Sequence, residues 1–160
     1  MDDQKNKMSL IVFSNDLDKA LAAFILATGA ASSGMEVTMF FTFWGLSLLR
    51  KKNVKRKGKN IVERMFGMML PEGPGGTRLS KMNFLGAGTR MMKSIMRKKE
   101  IFQLNDLMDM AKKLDVNIVA CTTSMEIMGI KREELIDDID IGGVATYLGN
   151  AKDSSVSLFI

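Results

Sequence analysis

The strongest constraint on the fold is the order of apolar patterns in the first 42 residues. Residues 8–13 (MSLIVF) form a short apolar run followed by the turn-forming sequence SND, which is typical of a buried strand. Apolar side chains then recur at helical spacing up to Gly34, and residues 35–42 (MEVTMFFT) repeat the strand pattern. A strand, a helix and a strand in this order predict a βαβ unit, whose right-handed crossover makes the two strands parallel.

The rest of the chain continues this alternation. Further strands are predicted at residues 116–120 and 155–160, and further helices at 43–49, 61–70, 101–114, directly after Cys121, at 131–138 and after the Gly142-Gly143 pair. Alternating helices and strands are typical of an α/β domain with helices on both faces of a sheet. The sequence therefore predicts a single domain over residues 1–160. Its predicted architecture is a three-layer α/β/α sandwich around a mostly parallel sheet of about five strands.

An insertion at residues 50–98 interrupts the alternation. It starts with the basic run RKKNVKRKGK, and residues 71–90 hold five glycines without a helical or strand period, which predicts a mobile loop. Seven of the 15 methionines lie between residues 65 and 96. Flexible methionine side chains suit a surface that repacks, and this much apolar surface in a small domain predicts a homo-oligomer.

The absence of histidine restricts the chemistry that the chain can perform. It excludes Cys-His and Ser-His nucleophile pairs and the commonest metal-ligand sets, so we expect no bound metal and no cofactor. A single cysteine excludes a disulfide within the chain, and the polar start MDDQKNKM has no apolar run of a signal peptide behind it, which predicts a cytoplasmic protein. The longest uncharged apolar stretch, residues 37–49, is shorter than the roughly 20 residues of a membrane-spanning helix.

Cys121 is the candidate nucleophile of the chain. It follows the predicted strand at 116–120 and precedes a predicted helix for which Thr123 and Glu126 have the spacing of a capping box. In open α/β sheets the ligand crevice lies at the carboxyl ends of the strands, and free amides at the start of a helix favour a thiolate. The alternative is that Cys121 is an inert, small apolar residue packed at the end of a strand.

The surroundings of Cys121 exclude several known cysteine motifs. Ile127 stands where the phosphatase loop requires arginine, and no proline follows Pro74 to serve as the cis-proline of a thioredoxin-type site. The sequence CTTS does match the C-x-x-S pattern of single-thiol redox sites. The residues expected to line the site are Thr122, Thr123, Ser124, Ser14 and Asn15. For the last two, which follow the first strand, the alternative is that they only cap a helix.

The basic residues are concentrated in one segment. Residues 50–59 carry seven of the 23 basic side chains and no acid, which leaves 16 basic against 18 acidic residues elsewhere. We expect this segment to bind an acidic partner protein or an anionic membrane surface, and the alternative is a solvated loop. Nucleic acid is disfavoured because the nearby aromatic residues are explained as strand and core residues. The predicted partner-binding residues are Arg50, Lys51, Lys52, Lys55, Arg56 and Lys57.

Three longer segments resemble a known family. FFTFWGLSLLRKK (40–52), ACTTSMEIMGIKREELID (120–137) and IGGVATYLGNAKDSSVSLFI (141–160) are together similar to the DsrE/DsrF-like sulfur-relay family, in its peroxiredoxin-like branch. The resemblance implies an α/β/α sandwich that assembles into oligomers. It also implies that Cys121 carries sulfur as a persulfide and exchanges it with small carrier proteins of the TusA type.

Three functions follow from these observations. The first is a sulfurtransferase or persulfide carrier that uses Cys121 in a cytoplasmic sulfur relay. The second is a non-catalytic α/β module that binds a nucleotide or flavin, although the sequence lacks a complete glycine fingerprint. The third is a scaffold that recruits an anionic partner or membrane surface through the basic segment.

Overall fold

A computed structural model describes residues 6–54 and 60–160. Its strands are β1 (Lys7–Val12), β2 (Glu36–Phe41), β3 (Asn117–Cys121), β4 (Asp140–Gly142) and β5 (Val156–Phe159). Its α-helices are α1 (Leu17–Ser32), α2 (Ile61–Met69), α3 (Ala87–Lys98), α4 (Leu104–Lys113), α5 (Thr122–Met128) and α6 (Val144–Lys152). Short 3-10 helices occupy Phe43–Leu49, Pro74–Gly76, Phe84–Gly86 and Arg132–Glu134.

The strands form one parallel sheet in the order β4-β3-β2-β1-β5. Each strand from β1 to β4 lies beside the preceding one, as successive crossovers of one hand produce, and the chain then returns to place β5 on the far side of β1. The predicted α/β class with a mostly parallel sheet is therefore confirmed. All the strand ends that carry candidate residues meet at the same edge of this sheet.

The two faces of the sheet are covered very differently. Alternate residues of β1 and β2 pack against α1 and α4 in one large core, in which the Phe24 and Phe41 ring centroids are 6.0 Å apart. On the opposite face, Phe40, Val119 and Cys121 form a small cluster with Tyr147 of α6. Burying a phenylalanine contributes about 1.5–3 kcal/mol, so the large core accounts for most of the hydrophobic stabilisation.

Residues 131–138 do not form the predicted helix. Glu134 is buried, where it pairs with Arg50 at 3.5 Å, and the next residue, Leu135, is fully buried. The backbone of Ile136 then donates a hydrogen bond to the Leu49 carbonyl, as an extended chain does. Tertiary contacts outweigh the helical preference of this charged segment, and the chain continues into β4, a strand that the sequence pattern did not indicate.

Part of the predicted loop at residues 71–90 is also helical. The helix α3 begins at Ala87, within that range, and Gly88 fits its first turn because a Cβ there would collide with the Met82 carbonyl. The segment before α3 is bonded to α1, since the Ser80 backbone and hydroxyl both donate to the Asp18 carboxylate, at 2.8 and 2.6 Å. The mobility of the insertion stays a prediction.

In residues 6–54 and 60–160, no helix has both the length and the apolar character that a bilayer crossing requires.

Candidate site at Cys121

Cys121 lies at the junction between β3 and α5. It is the last residue of β3, opposite Gly142 of β4, and its extended backbone makes it the N-cap of α5. The helix therefore begins at Thr122, directly after Cys121 as predicted, but its N-cap is Cys121 and not Thr123, because the chain turns directly from the strand into the helix. Cys121 is thus at the carboxyl edge of the sheet, as the sequence predicts, although α5 has only seven residues and its aligned amides carry a weak field.

The thiol of Cys121 is covered in this conformation. Cys121 is 3% exposed and packs with Phe40 and Val119, while Tyr147 of α6 lies over this cluster. The Phe40 and Tyr147 rings are 5.3 Å apart in a tilted arrangement. The sulfur is therefore nearly inaccessible to solvent in this conformation.

At the start of α6, Gly142 is tightly packed, whereas Gly143 leaves room for ordinary van der Waals contact with the first residue of α5. A Cβ at position 142 would lie 3.0 Å from the side chain of Thr146, and one at position 143 would lie 3.6 Å from the Thr122 hydroxyl. No residue of α6 itself, all of which the structure describes, is fully buried. The helix that covers the thiol is therefore anchored mainly by Tyr147 and by the turn at its start.

A hydrogen bond fixes the predicted site residue Ser124. Its hydroxyl is buried and lies 2.6 Å from the hydroxyl of Thr42, the residue that follows β2. This bond joins α5 to the neighbouring strand end, so Ser124 orients the helix rather than facing solvent. Thr42 was missed by the sequence analysis as a site residue, although its position as the last residue of the predicted strand at 35–42 is the signal that places it at this edge. Of the other two predicted site residues on α5, Thr122 is half-buried and Thr123 is exposed.

Ser14 and Asn15 make contacts away from Cys121. The Ser14 hydroxyl donates to the Asp16 carboxylate at 3.0 Å, and the Asn15 amide donates to the Ser47 hydroxyl at 3.0 Å. Because β2 separates β1 from β3, these residues are about two strand spacings, roughly 10 Å, from the thiol. Neither side chain caps α1, whose N-cap is Asp16, so the proposed lining role of these two residues stays a prediction.

A cavity of about 300 Å³ opens beside Thr122. Its remaining lining residues come from α2, from α5 and the residues that follow it, and from β4: Glu63, Met125, Glu126, Gly129, Ile130, Lys131 and Ile141. Most of this surface is apolar, with carboxylates at Glu63 and Glu126. This cavity is a concave surface beside Thr122, the residue that directly follows Cys121.

The predicted partner-binding residues do not share one environment. Arg50 is buried, and its guanidinium donates to the Leu70 carbonyl at 3.1 Å besides pairing with Glu134, which is incompatible with the predicted partner contact. Lys51 is half-buried and bonds Asp137 at 2.9 Å, which lowers the pKa of that carboxyl. Lys52 is exposed. The other predicted residues, Lys55, Arg56 and Lys57, lie outside the described residues.

Comparisons with known proteins agree with this architecture. The chain is 46% identical over its whole length to the whole of the uncharacterized protein YrkE of Bacillus subtilis (strain 168). It is 32% identical to the sulfur carrier protein DsrE2 of Allochromatium vinosum, over 98% of this chain and 99% of that protein. The crystal structure of the YchN protein from E. coli superposes with a TM-score of 0.56 at 10% identity, covering 97% of this chain and 99% of that one, which shows the same fold.

The family profile covers nearly the whole chain. The DsrE/DsrF/DrsH-like family matches residues 4–159, a span that includes all five strands and the candidate cysteine. This match confirms the resemblance inferred from the three quoted segments. The chain belongs to the DsrE/DsrF/DrsH-like family.

Proposed function

We propose that this protein is a sulfur carrier that holds sulfane sulfur as a persulfide on Cys121. The observation that carries the proposal is the position of the chain's single cysteine at the carboxyl end of β3, under a lightly anchored helix, in a protein related over its full length to a sulfur carrier. Family membership and that relative support a role in sulfur relay in general. The assignment of Cys121 as the carrier is ours.

The transfer step is a thiol exchange that requires no histidine. The Cys121 thiolate attacks the terminal sulfur of a donor persulfide, so a new bond forms between Sγ and that sulfur. The bond between the two donor sulfurs breaks, and the donor leaves as a thiolate. A second exchange of the same kind passes the sulfur to an acceptor thiolate, and neither step consumes an oxidant or a reductant.

The burial of Cys121 fits a carrier that must protect its cargo. A persulfide in solution reacts readily with other thiols, whereas one under Tyr147 is shielded until α6 moves. We propose that a small donor or acceptor protein of the TusA type docks at this edge, in the cytoplasm, and draws α6 aside. The basic segment, residues 50–59, would attract an acidic partner to the protein, and that attraction weakens as salt increases.

The proposal is tested by the mass of the intact protein. After incubation with a persulfide donor, the wild-type chain should gain about one sulfur atom, on the order of 32 Da, on the peptide that contains Cys121, and a reductant should remove it. Cys121→Ser should prevent the gain and lower the melting temperature modestly, because it places a hydroxyl in the apolar cluster of Phe40, Val119 and Tyr147. Sulfur uptake by Cys121→Ser, or a wild-type thiol that takes up no sulfur from any persulfide donor, would show that Cys121 is structural.

A further inference from the structure

A second candidate site lies on the other side of the sheet from Cys121. A cleft of about 210 Å³ is formed where the start of α1, the turn at Pro74–Gly76, the helix α3 and the start of α4 meet. Its apolar wall includes Leu17 and Leu104, which belong to the large core, whereas Cys121 belongs to the small cluster on the opposite face. The cleft is therefore separate from the proposed sulfur site.

Three cationic side chains meet at this cleft. Lys93 and Arg97 are four residues apart on α3, so they lie on the same face of the helix, and both line the cleft. The Lys52 ammonium lies against Gly75 on the opposite rim, where a Cβ would be only 3.0 Å from its nitrogen. Gly75 therefore leaves the space that this ammonium occupies. In residues 6–54 and 60–160, no carboxylate lies within 4.0 Å of any of the three cations.

The arrangement is unfavourable without a counter-ion. Like charges four residues apart on a helix repel, and the nearby apolar side chains limit solvent screening. Burial lowers the pKa of the Lys93 ammonium, and the charges of Arg97 and Lys52 lower it further. A bound anion reverses both effects, because it compensates the charge and replaces the lost solvation.

The polar groups around the cations suit an oxyanion. Arg97 supplies a planar fork of donors, its Nε already bonded to the Lys93 carbonyl at 3.2 Å, and the two lysines supply point charges. Gln103 and Asn105, at the start of α4, also line the cleft, although the Gln103 amide already donates to the Ile101 carbonyl at 3.4 Å. We propose that this cleft binds a doubly charged tetrahedral oxyanion of the phosphate class, either free or as a phosphate monoester.

The experiment compares two charge-matched double variants on α3. Inorganic phosphate should bind the wild-type protein, and Lys93→Gln with Arg97→Gln should weaken binding by about 10- to 100-fold or more, because each charge-assisted hydrogen bond is a large share of the affinity. Lys98→Gln with Lys99→Gln removes the same charge from the same end of α3 outside the cleft and should change affinity only slightly. Isothermal titration calorimetry measures both, and adenosine monophosphate in place of phosphate distinguishes a monoester site from a free-ion site.

Two further measurements keep the proposal open to refutation. Lys52→Gln changes an exposed side chain and should weaken phosphate binding without affecting folding. In nuclear magnetic resonance titrations, phosphate should raise the pKa of Lys93, since an anion stabilises the ammonium form. The proposal is wrong if both double variants weaken binding equally, which indicates diffuse attraction, or if neither phosphate nor adenosine monophosphate binds the wild-type protein at millimolar concentration.

Discussion

The environment of Arg50 in the structure differs from the one that its position in the sequence predicts. In the sequence it opens a run of cations and resembles the start of an exposed loop, yet it is among the most buried polar residues of the chain. Its guanidinium pairs with Glu134 and donates to the carbonyls of Leu70 and Pro71, so it joins the end of the first 3-10 helix to two later segments. Such a contact set depends on residues more than 80 positions away, which no local pattern contains.

Replacing Arg50 should therefore destabilise the fold. Arg50→Ala leaves Glu134 as a buried charge without its main partner, and breaking a buried pair in this way costs about 3–5 kcal/mol. Chemical denaturation measures the change. Lys51→Ala, the neighbouring control, removes an exposed pair with Asp137 and should have little effect. Equal losses from the two variants would mean that the Arg50 pair is not the cause.

A second residue-scale prediction concerns the pH dependence of the contact between the insertion and α1. Burial acts to raise the pKa of Asp18, but the hydrogen bonds from the Ser80 side chain and backbone outweigh it and lower the pKa below the ordinary 3.8. The contact is therefore fully stabilising above pH 3.8 and is lost as the pH falls through the lower, folded-state pKa.

Ser80→Ala tests this contact directly. Removal of the hydroxyl should raise the Asp18 pKa toward its ordinary value, which carboxyl chemical shifts measure during a pH titration. Ser94→Ala on the exposed part of α3 is the matched control. An unchanged Asp18 pKa in Ser80→Ala would show that the hydroxyl does not hold the carboxylate.

At the scale of elements, α6 is the helix that packs over the Cys121 cluster. It has nine residues, crosses the less covered face of the sheet and contacts β1 and β4. Its side chain over the cysteine cluster is Tyr147, whose ring contacts that of Phe40 in a tilted arrangement. Elements with few buried side chains open with small free energies, so we expect α6 to move more readily than the helices of the large core.

Removing the covering ring should expose the sulfur. Tyr147→Ala should accelerate alkylation of Cys121 by about tenfold or more, because the thiol then needs a smaller opening to react. Leu148→Ala, in the same helix but exposed, should leave the rate nearly unchanged. The rate of iodoacetamide labelling measures both, and identical rates in the wild type and Tyr147→Ala would mean that Tyr147 does not restrict access.

The sequence predicted helices and strands well where a local residue pattern determines them. It predicted them less well where contacts between distant residues determine the structure. The strands around Leu10, Phe41 and Val119 were predicted because both faces of a central parallel strand are apolar. β4 was missed because three residues, DIG, carry too little pattern, and its pairing with β3 is what makes it a strand. Cys121 was predicted correctly at the strand end. Its burial under Tyr147 was not predicted, because it depends on where α6, between β4 and β5, packs on the sheet.

At the scale of the whole molecule, the insertion presents a large apolar surface. Met69, Phe84 and Leu85 are 80%, 73% and 108% exposed, and the last two also have left-handed backbone angles, φ 42° and 55°. Apolar residues in this conformation are strained by about 1–3 kcal/mol, a cost that contacts with a second subunit would offset. This surface supports the predicted homo-oligomer.

Leu85→Asn should weaken self-association while relieving backbone strain, since asparagine adopts left-handed angles more readily. Multi-angle light scattering should show an oligomer for the wild type and a shift toward monomer for the variant. Ile127→Asn, at an exposed position on α5, is the control. A wild-type protein that is monomeric at micromolar concentration would reject the prediction.

The position of β5 in the sheet affects how the chain folds. β1 pairs with β2 after a short crossover, but its other edge pairs with β5, and the hydroxyls of Ser9 and Ser154 meet across 145 residues of sequence. Loop-closure entropy makes such a non-local pairing late and slow, so we expect the β1-α1-β2 unit to form early and β5 to join near the end of folding. A chain that has not yet added β5 exposes the edge of β1, and an unpaired strand edge is a template on which strands of other chains can pair.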